Sequence, residues 1–250
     1  MERPDYILEP SQIKTRITNH ELRDDLKTIY DICTRIARYQ FDRRVSDGIR
    51  GFLFAGPPGL GKTEVAKLVA KNNGFKLFFV DGSEVARSPY GESERRLKDI
   101  FKRARELRRT EHTIILFDDI ESLIMARGAL LAREWHYALN SIFFHGVDEV
   151  DTSKAIVVCT TNRYDLVDEA IRDRFYEIEF PMPSKKDLKL IAEHLCSEGR
   201  FHFTDKDVVE KIQREIETND GCKTVRDVEN LVIARYIEFV SRLEVGEFTA

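Results

Sequence analysis

The chain has 250 residues, 42% hydrophobic and 34% charged, with 40 basic and 44 acidic residues for a net charge of −4. That supports one large core, or a core and a small second one, and excludes both an acidic disordered chain and a globally basic nucleic-acid binder. Cys33, Cys159, Cys196 and Cys222 lie far apart with no Cys-x-x-Cys pair, and the six histidines fit no zinc spacing. Residues after Met1 do not form a signal peptide and no apolar run spans a bilayer, so the expectation is a soluble, cytoplasmic protein without a membrane span.

Residues 1–19 are polar with two prolines and read as an N-terminal arm or linker. Over 21–41, Leu22, Leu26, Ile29, Cys33 and Ile36 recur at helical spacing, and Asn19 suits the cap. Short, nearly continuous apolar runs follow at 52–55, 77–80, 113–117 and 155–159, the pattern of strands covered on both faces. Helical segments separate them at 62–72, 92–109 and 131–144. Residues 176–180 alternate and predict a fifth, edge strand. Alternating strands and helices imply an α/β fold, a three-layer parallel sheet joined by right-handed crossovers. Pro181 and Pro183 then punctuate the chain, and three helical patterns follow, at 188–195, 208–216 and 225–240. The division expected is an arm at 1–19, an α/β domain at 20–183 and a small all-helical lid domain at 184–250.

The segment Gly56-Pro57-Pro58-Gly59-Leu60-Gly61-Lys62-Thr63 matches the phosphate-loop pattern G-x-x-x-x-G-K-[ST], after an apolar strand and before a helix. Glycines let main-chain N–H groups converge on a polyphosphate without a Cβ between, and the helix start adds its positive dipole end. Lys62 would reach the β- and γ-phosphates, the Thr63 hydroxyl would hold Mg²⁺, and Glu64 completes the nucleotide-binding stretch.

The run Ile114-Ile115-Leu116-Phe117-Asp118-Asp119 is a strand ending in two carboxylates, at the edge where α/β sheets bind ligands. Asp118 would bind the metal through water, and Asp119 would face an attacking water. The alternative is a solvated acidic turn.

In this order the motifs resemble the AAA+ ATPases of the P-loop NTPase class, nearest their classical AAA clade, over residues 49–240. Thr161-Asn162-Arg163 resembles the sensor-1 motif, which implies that Asn162 orients the lytic water. Residues 166–175 resemble the second region of homology, and Arg174 before Phe175 matches the arginine finger that completes a neighbouring subunit's site. The resemblance implies ATP and Mg²⁺ as cofactors, ATP hydrolysis, a homo-hexameric ring, and remodelling of a protein substrate or adaptor-delivered client. For Arg174 the alternative is an ion pair with Asp173 or Glu177.

Four positions depart from the pattern. Asp119 replaces the family's catalytic glutamate and is one methylene shorter. Glu177 stands where a second finger is common, leaving either Arg172 as substitute or a single finger. Arg226, in Thr224-Val225-Arg226-Asp227-Val228, offers a sensor-2 arginine that would reach the nucleotide from the lid; the alternative is an exposed helical arginine. In Ser88-Pro89-Tyr90-Gly91, Tyr90 falls one residue from the usual pore-loop aromatic, and an ordinary turn is the competing reading.

Two other functions compete. Residues 92–109 carry Arg95, Arg96, Lys98, Lys102, Arg103, Arg105, Arg108 and Arg109, a basic excess that suits a nucleic-acid-directed motor or loader. The short Asp119 suits a slow-turnover, nucleotide-gated assembly module.

Overall fold

The computed structural model describes residues 6–16, 22–86, 91–124, 134–197, 201, 203 and 206–241. The chain divides into two compact units, Met1–Pro57 with Gly61–Phe180, and Pro58–Leu60 with Pro181–Ala250.

The first unit is built on a six-stranded sheet. Its strands are β1 (Ile7–Leu8), β2 (Gly51–Ala55), β3 (Lys76–Asp81), β4 (Thr113–Asp118), β5 (Ala155–Thr161) and β6 (Tyr176–Glu179), in the spatial order β1-β3-β4-β5-β2-β6. All pairings from β3 to β6 are parallel. The helices are α1 (Asp24–Arg43), α2 (Lys62–Asn72), α3 (Gly82–Ala86), α4 (Glu92–Arg105), α5 (Glu134–Asp148) and α6 (Glu169–Arg172).

Both faces of the sheet are apolar because helices cover both. On one face Ile115 and Phe117 of β4 pack with Leu97, Ile100 and Phe101 of α4 and Leu139, Phe143 and Val147 of α5. Ile114 and Leu116, pointing the other way from the same strand, are equally buried, and α2 lies against β3, β4 and β5. Each such side chain contributes about 1.5–3 kcal/mol on burial.

The expected parallel strands and the edge position of β6 are all present. The arm differs from expectation: Ile7 pairs with Phe78 and Leu8 with Leu77, antiparallel, so residues read as irregular cap the far sheet edge. Tyr6 fixes this short strand, its hydroxyl donating to Asp99 Oδ2 at 2.5 Å and its ring meeting Phe78 edge-on. Helix α1 starts at Asp24 with Arg23 as its N-cap; the expected cap, Asn19, lies outside the described residues. Helix α4 stops at Arg105, short of the expected 109.

The second unit holds α7 (Lys185–Ser197), α8 (Lys206–Thr218) and α9 (Val225–Val240). Leu188, Ala192, Cys196, Ile212, Ile216, Cys222, Val228 and Val232 form its core. A capping box starts α9: the Asp227 carboxylate accepts from the Thr224 N–H at 2.7 Å, and the Thr224 hydroxyl accepts from the Asp227 N–H at 3.3 Å. Lys185 Nζ donates to the carbonyls of Ile216 and Asn219, both at 2.7 Å, closing the end of α8. All four cysteines are buried free thiols.

Candidate functional site

The parallel register brings four strand ends to one edge of the sheet. Asp81 pairs with Asp118, Phe117 with Cys159, and Ala55 with Thr161. The residues that leave these strands therefore converge, although they come from separate stretches of sequence.

Gly56 follows β2, and Gly61, with φ of 95°, is the N-cap of α2. That left-handed conformation favours glycine over any residue with a Cβ. The N–H groups that open α2 belong to Lys62, Thr63 and Glu64, donors that an α-helix does not itself satisfy. Glu64 is turned elsewhere, its Oε2 accepting from the Arg16 N–H at 2.7 Å. Pro57 and Pro58 are exposed and Leu60 is buried. Within the second unit, the Val225 N–H donates to the Gly59 carbonyl at 3.2 Å.

Lys62 is buried, and its Nζ donates to Gly56 O at 2.6 Å, Pro57 O at 2.7 Å and Asn162 Oδ1 at 2.8 Å. The other half of the Asn162 amide donates from Nδ2 to Asp119 Oδ1 at 2.7 Å. One asparagine thus spans the ammonium and the carboxylate. Asp119 leaves β4 in a left-handed conformation, φ 52° and ψ 56°. Its carboxyl holds its proton more tightly than an ordinary aspartate, first because it is buried and then because Asp118, Glu121 and Asp81 are negative neighbours; Lys62 works in the opposite direction.

Asp118 Oδ1 accepts from the hydroxyls of Thr63 at 2.6 Å and Thr160 at 2.7 Å. Thr160 also accepts from the Asp119 N–H at 3.1 Å, so it links both acids. Among the described residues no group of three or more His, Cys, Asp or Glu side chains is placed to hold a metal ion. A hydroxyl and one carboxylate in contact nonetheless fit Mg²⁺, which keeps most of its waters and takes hard oxygens.

The expected residues fall into three groups. Lys62, Thr63, Asp118, Asp119 and Asn162 form one connected hydrogen-bond network. Arg174 and Arg172 are bonded elsewhere. The Arg174 guanidinium grips Asp148, through Nε to Oδ1 at 2.9 Å and Nη2 to Oδ2 at 3.0 Å, with Nη1 on the Ala170 carbonyl at 3.1 Å. Asp148, at the end of α5, was not among the ion-pair partners expected, and Arg174 holds its carboxyl below the usual range. Arg172 stacks on Tyr164, 4.0 Å from the ring centre, and donates to the Tyr164 carbonyl at 2.7 Å. Arg226 is an exposed residue of α9 in the second unit. Tyr90 lies outside the described residues.

Sequence reasoning missed Thr160, Glu121 and Gly82. Glu121 Oε1 accepts from the Asn162 N–H at 3.1 Å. A Cβ at Gly82 would sit 2.5 Å from the Asp119 carbonyl oxygen and 2.9 Å from that of Asp118, so the chain passes tightly behind both acids. Each of these contacts depends on strand pairing, for which a single sequence carries no local signal.

A phosphate loop followed by a strand ending in paired acids, on a mostly parallel sheet with a helical C-terminal part, defines a P-loop nucleotide hydrolase fold. Residues 52–182 match the family model described as ATPase family associated with various cellular activities (AAA), and the chain belongs to that family. It is 35% identical over 170 residues to a probable 26S proteasome regulatory subunit 6B of Caenorhabditis elegans, covering 64% of this chain and 39% of that protein. It is 31% identical over 189 residues to a nuclear valosin-containing protein-like protein of Mus musculus, covering 73% and 21%. An AAA ATPase forming ring-shaped complexes, from Corynebacterium diphtheriae, is 36% identical over 132 residues, covering 49% and 26%. The chain therefore spans well under half the length of these relatives. A chain of the solved E. coli MS115-1 HORMA:CdnC:Trip13 complex shares the fold, with a TM-score of 0.65 at 17% identity, covering 96% of this chain and 95% of that one. No described helix is long and apolar enough to cross a membrane.

Proposed function

We propose that this AAA-family chain is a Mg²⁺-dependent ATPase that works as a ring, with each reaction centre completed by its neighbour, and that it remodels a protein substrate. The observation that carries the reading is the Asn162 amide, which joins Lys62 at 2.8 Å and Asp119 at 2.7 Å. A structural buried lysine needs only a counter-charge. Here a neutral bridge joins ammonium to carboxylate at the start of α2, where main-chain N–H groups are open to a phosphate.

The residues divide the work as follows. Lys62 exchanges its two carbonyl partners, Gly56 and Pro57, for phosphate oxygens, and the N–H groups opening α2 hold the same phosphates. Thr63 would hold Mg²⁺ and Asp118 would bind it through water, and the ion would neutralise phosphate charge. Thr160 keeps the Asp118 carboxylate aimed. Asp119, with its raised proton affinity, accepts a proton from the attacking water, and Asn162 orients that water. Arg226, exposed on α9, is assigned as a nucleotide-binding residue on the resemblance of its motif alone.

Arg174 is assigned as the finger, acting in trans. Its bidentate pairing with Asp148 is partly exposed, worth about 0–1 kcal/mol, while a finger contributes about 10³–10⁵ in rate. The partly exposed pair is therefore little hindrance to releasing Arg174, and the finger's contribution falls on the transition state. The stacking of Arg172 on Tyr164 supports the single-finger alternative. Ring assembly is supported by the relative whose description includes ring-shaped complexes, and six subunits is the number the family resemblance implies.

The nucleic-acid reading has less support. On α4, Arg96 pairs with Glu84, Lys102 with Glu106, Arg103 with Asp99 and Arg105 with Glu149, so four of the eight basic side chains of residues 92–109 are ion-paired within the chain.

The test is ATPase activity against protein concentration, with sizing with and without Mg-ATP. Specific activity that climbs cooperatively as a larger species forms supports the shared centre. Constant specific activity from a monomer refutes it.

A further inference from the structure

One buried carboxylate beside the site has no part in the assignments above. Glu121 lies in the 3-10 turn Ile120–Ser122, two residues past Asp119, and is 8% exposed. Its Oε1 accepts from the Asn162 N–H at 3.1 Å, and its Oε2 has no hydrogen-bond partner. A buried carboxylate with an open oxygen costs stability. Packing alone would be served better by an apolar residue of similar volume.

Asn162 is where main-chain support runs out. The pairing of β5 with β2 ends at Thr161 opposite Ala55, so Asn162 is the first residue beyond the ladder. Its main chain is tied by Glu121, while its side chain must meet two partners at once, Lys62 and Asp119. An amide bridging two groups tolerates little rotation, since hydrogen bonds weaken steeply away from linearity.

Resting on the role given to Asn162 above, we propose that Glu121 is a positioning residue of the ATPase centre: its carboxylate anchors the Asn162 main chain so that one amide spans Lys62 and Asp119. The carboxylate takes the place of the sheet partner that Asn162 lacks. Glu121 touches none of the reacting atoms and acts through Asn162.

The experiment is a cycle of variants read by kcat, nucleotide Kd and Tm. Glu121→Leu removes both acceptor oxygens and is expected to lower kcat about 10–100-fold through a displacement on the order of 1 Å. Nucleotide Kd should stay within about threefold, and Tm should hold or rise, because an under-satisfied buried carboxylate is gone. Glu121→Gln keeps an acceptor for the Asn162 N–H and should recover most of the lost kcat. Asn162→Ala should be impaired by itself, and adding Glu121→Leu to it should lower kcat no further. Glu121→Ala goes through the same cycle, so a folding defect in the leucine variant leaves the test intact. If Glu121→Leu and Glu121→Ala turn over like wild type while Asn162→Ala is impaired, the proposal fails and the reading of the site stands. If Asn162→Ala also turns over like wild type, both fail.

Discussion

The side-chain oxygen of Asn162 accepts a 2.8 Å hydrogen bond from the Lys62 ammonium, across 100 residues of chain. This bond ties the start of α2 to the end of β5, and through the other half of the same amide it reaches Asp119, just past β4. The three positions form one unit, and their effects should not be additive.

Lys62→Ala should therefore lose nucleotide affinity and also disturb its neighbours. Removing a charge-assisted contact to phosphate costs about 1.5–3 kcal/mol, or roughly 10–150-fold in Kd. Titration calorimetry with Mg-ATP would show it. Affinity equal to wild type would place the phosphates away from this loop.

Asp119 gives a pH signature. Its folded-state pKa is raised, mainly by burial and by Asp118, Glu121 and Asp81. Its contribution to stability is therefore full below the ordinary aspartate value, about 3.9, and is lost as pH rises through the raised value. Asp119→Asn removes that dependence. The variant should melt higher than wild type near neutral pH, and the gap should close as the medium is acidified toward about pH 4. Its ATP turnover should be abolished with binding retained. A Tm difference that widens on acidification would contradict the assignment.

Gly82 backs the two acids. With a Cβ there only 2.5 Å from the Asp119 carbonyl oxygen, backbone must move against backbone. Gly82→Ala should cost about 1–3 kcal/mol, a fall in Tm of about 2–10 °C, and should reduce kcat more than nucleotide affinity. Thermal melts with steady-state kinetics would separate these effects. An alanine variant with wild-type Tm and kcat would show that the close approach is not needed.

What the sequence made legible was local. The phosphate loop is one continuous stretch whose residue types answer directly to a polyphosphate. The strand ending in Asp118 and Asp119 is visible from its own apolar run, and Asn162 from the motif around it. Contacts that depend on register were not legible. Thr160 reaches Asp118 only because Phe117 pairs with Cys159, which places the next residue of each strand side by side. The Arg174–Asp148 pair joins the end of α5 to the chain just before β6, 26 residues apart. Strand β1 has two residues and no period to detect; Tyr6, bonded to Asp99 93 positions away, holds it.

The central claim is that one protomer's phosphate loop works with its neighbour's Arg174, and a mixing experiment tests it most directly. Arg174→Ala gives up a partly exposed ion pair with Asp148, a hydrogen bond to the Ala170 carbonyl and a contact over the Phe144 ring, together about 1–3 kcal/mol. It should still fold, yet lose about 10³-fold or more in turnover. Lys62→Ala should be inactive through its own loop. Combined, the two inactive proteins should regain ATPase activity well above the sum of the parts, because an intact loop from one meets an intact arginine from the other. A mixture that co-assembles and stays as inactive as its components would contradict the account.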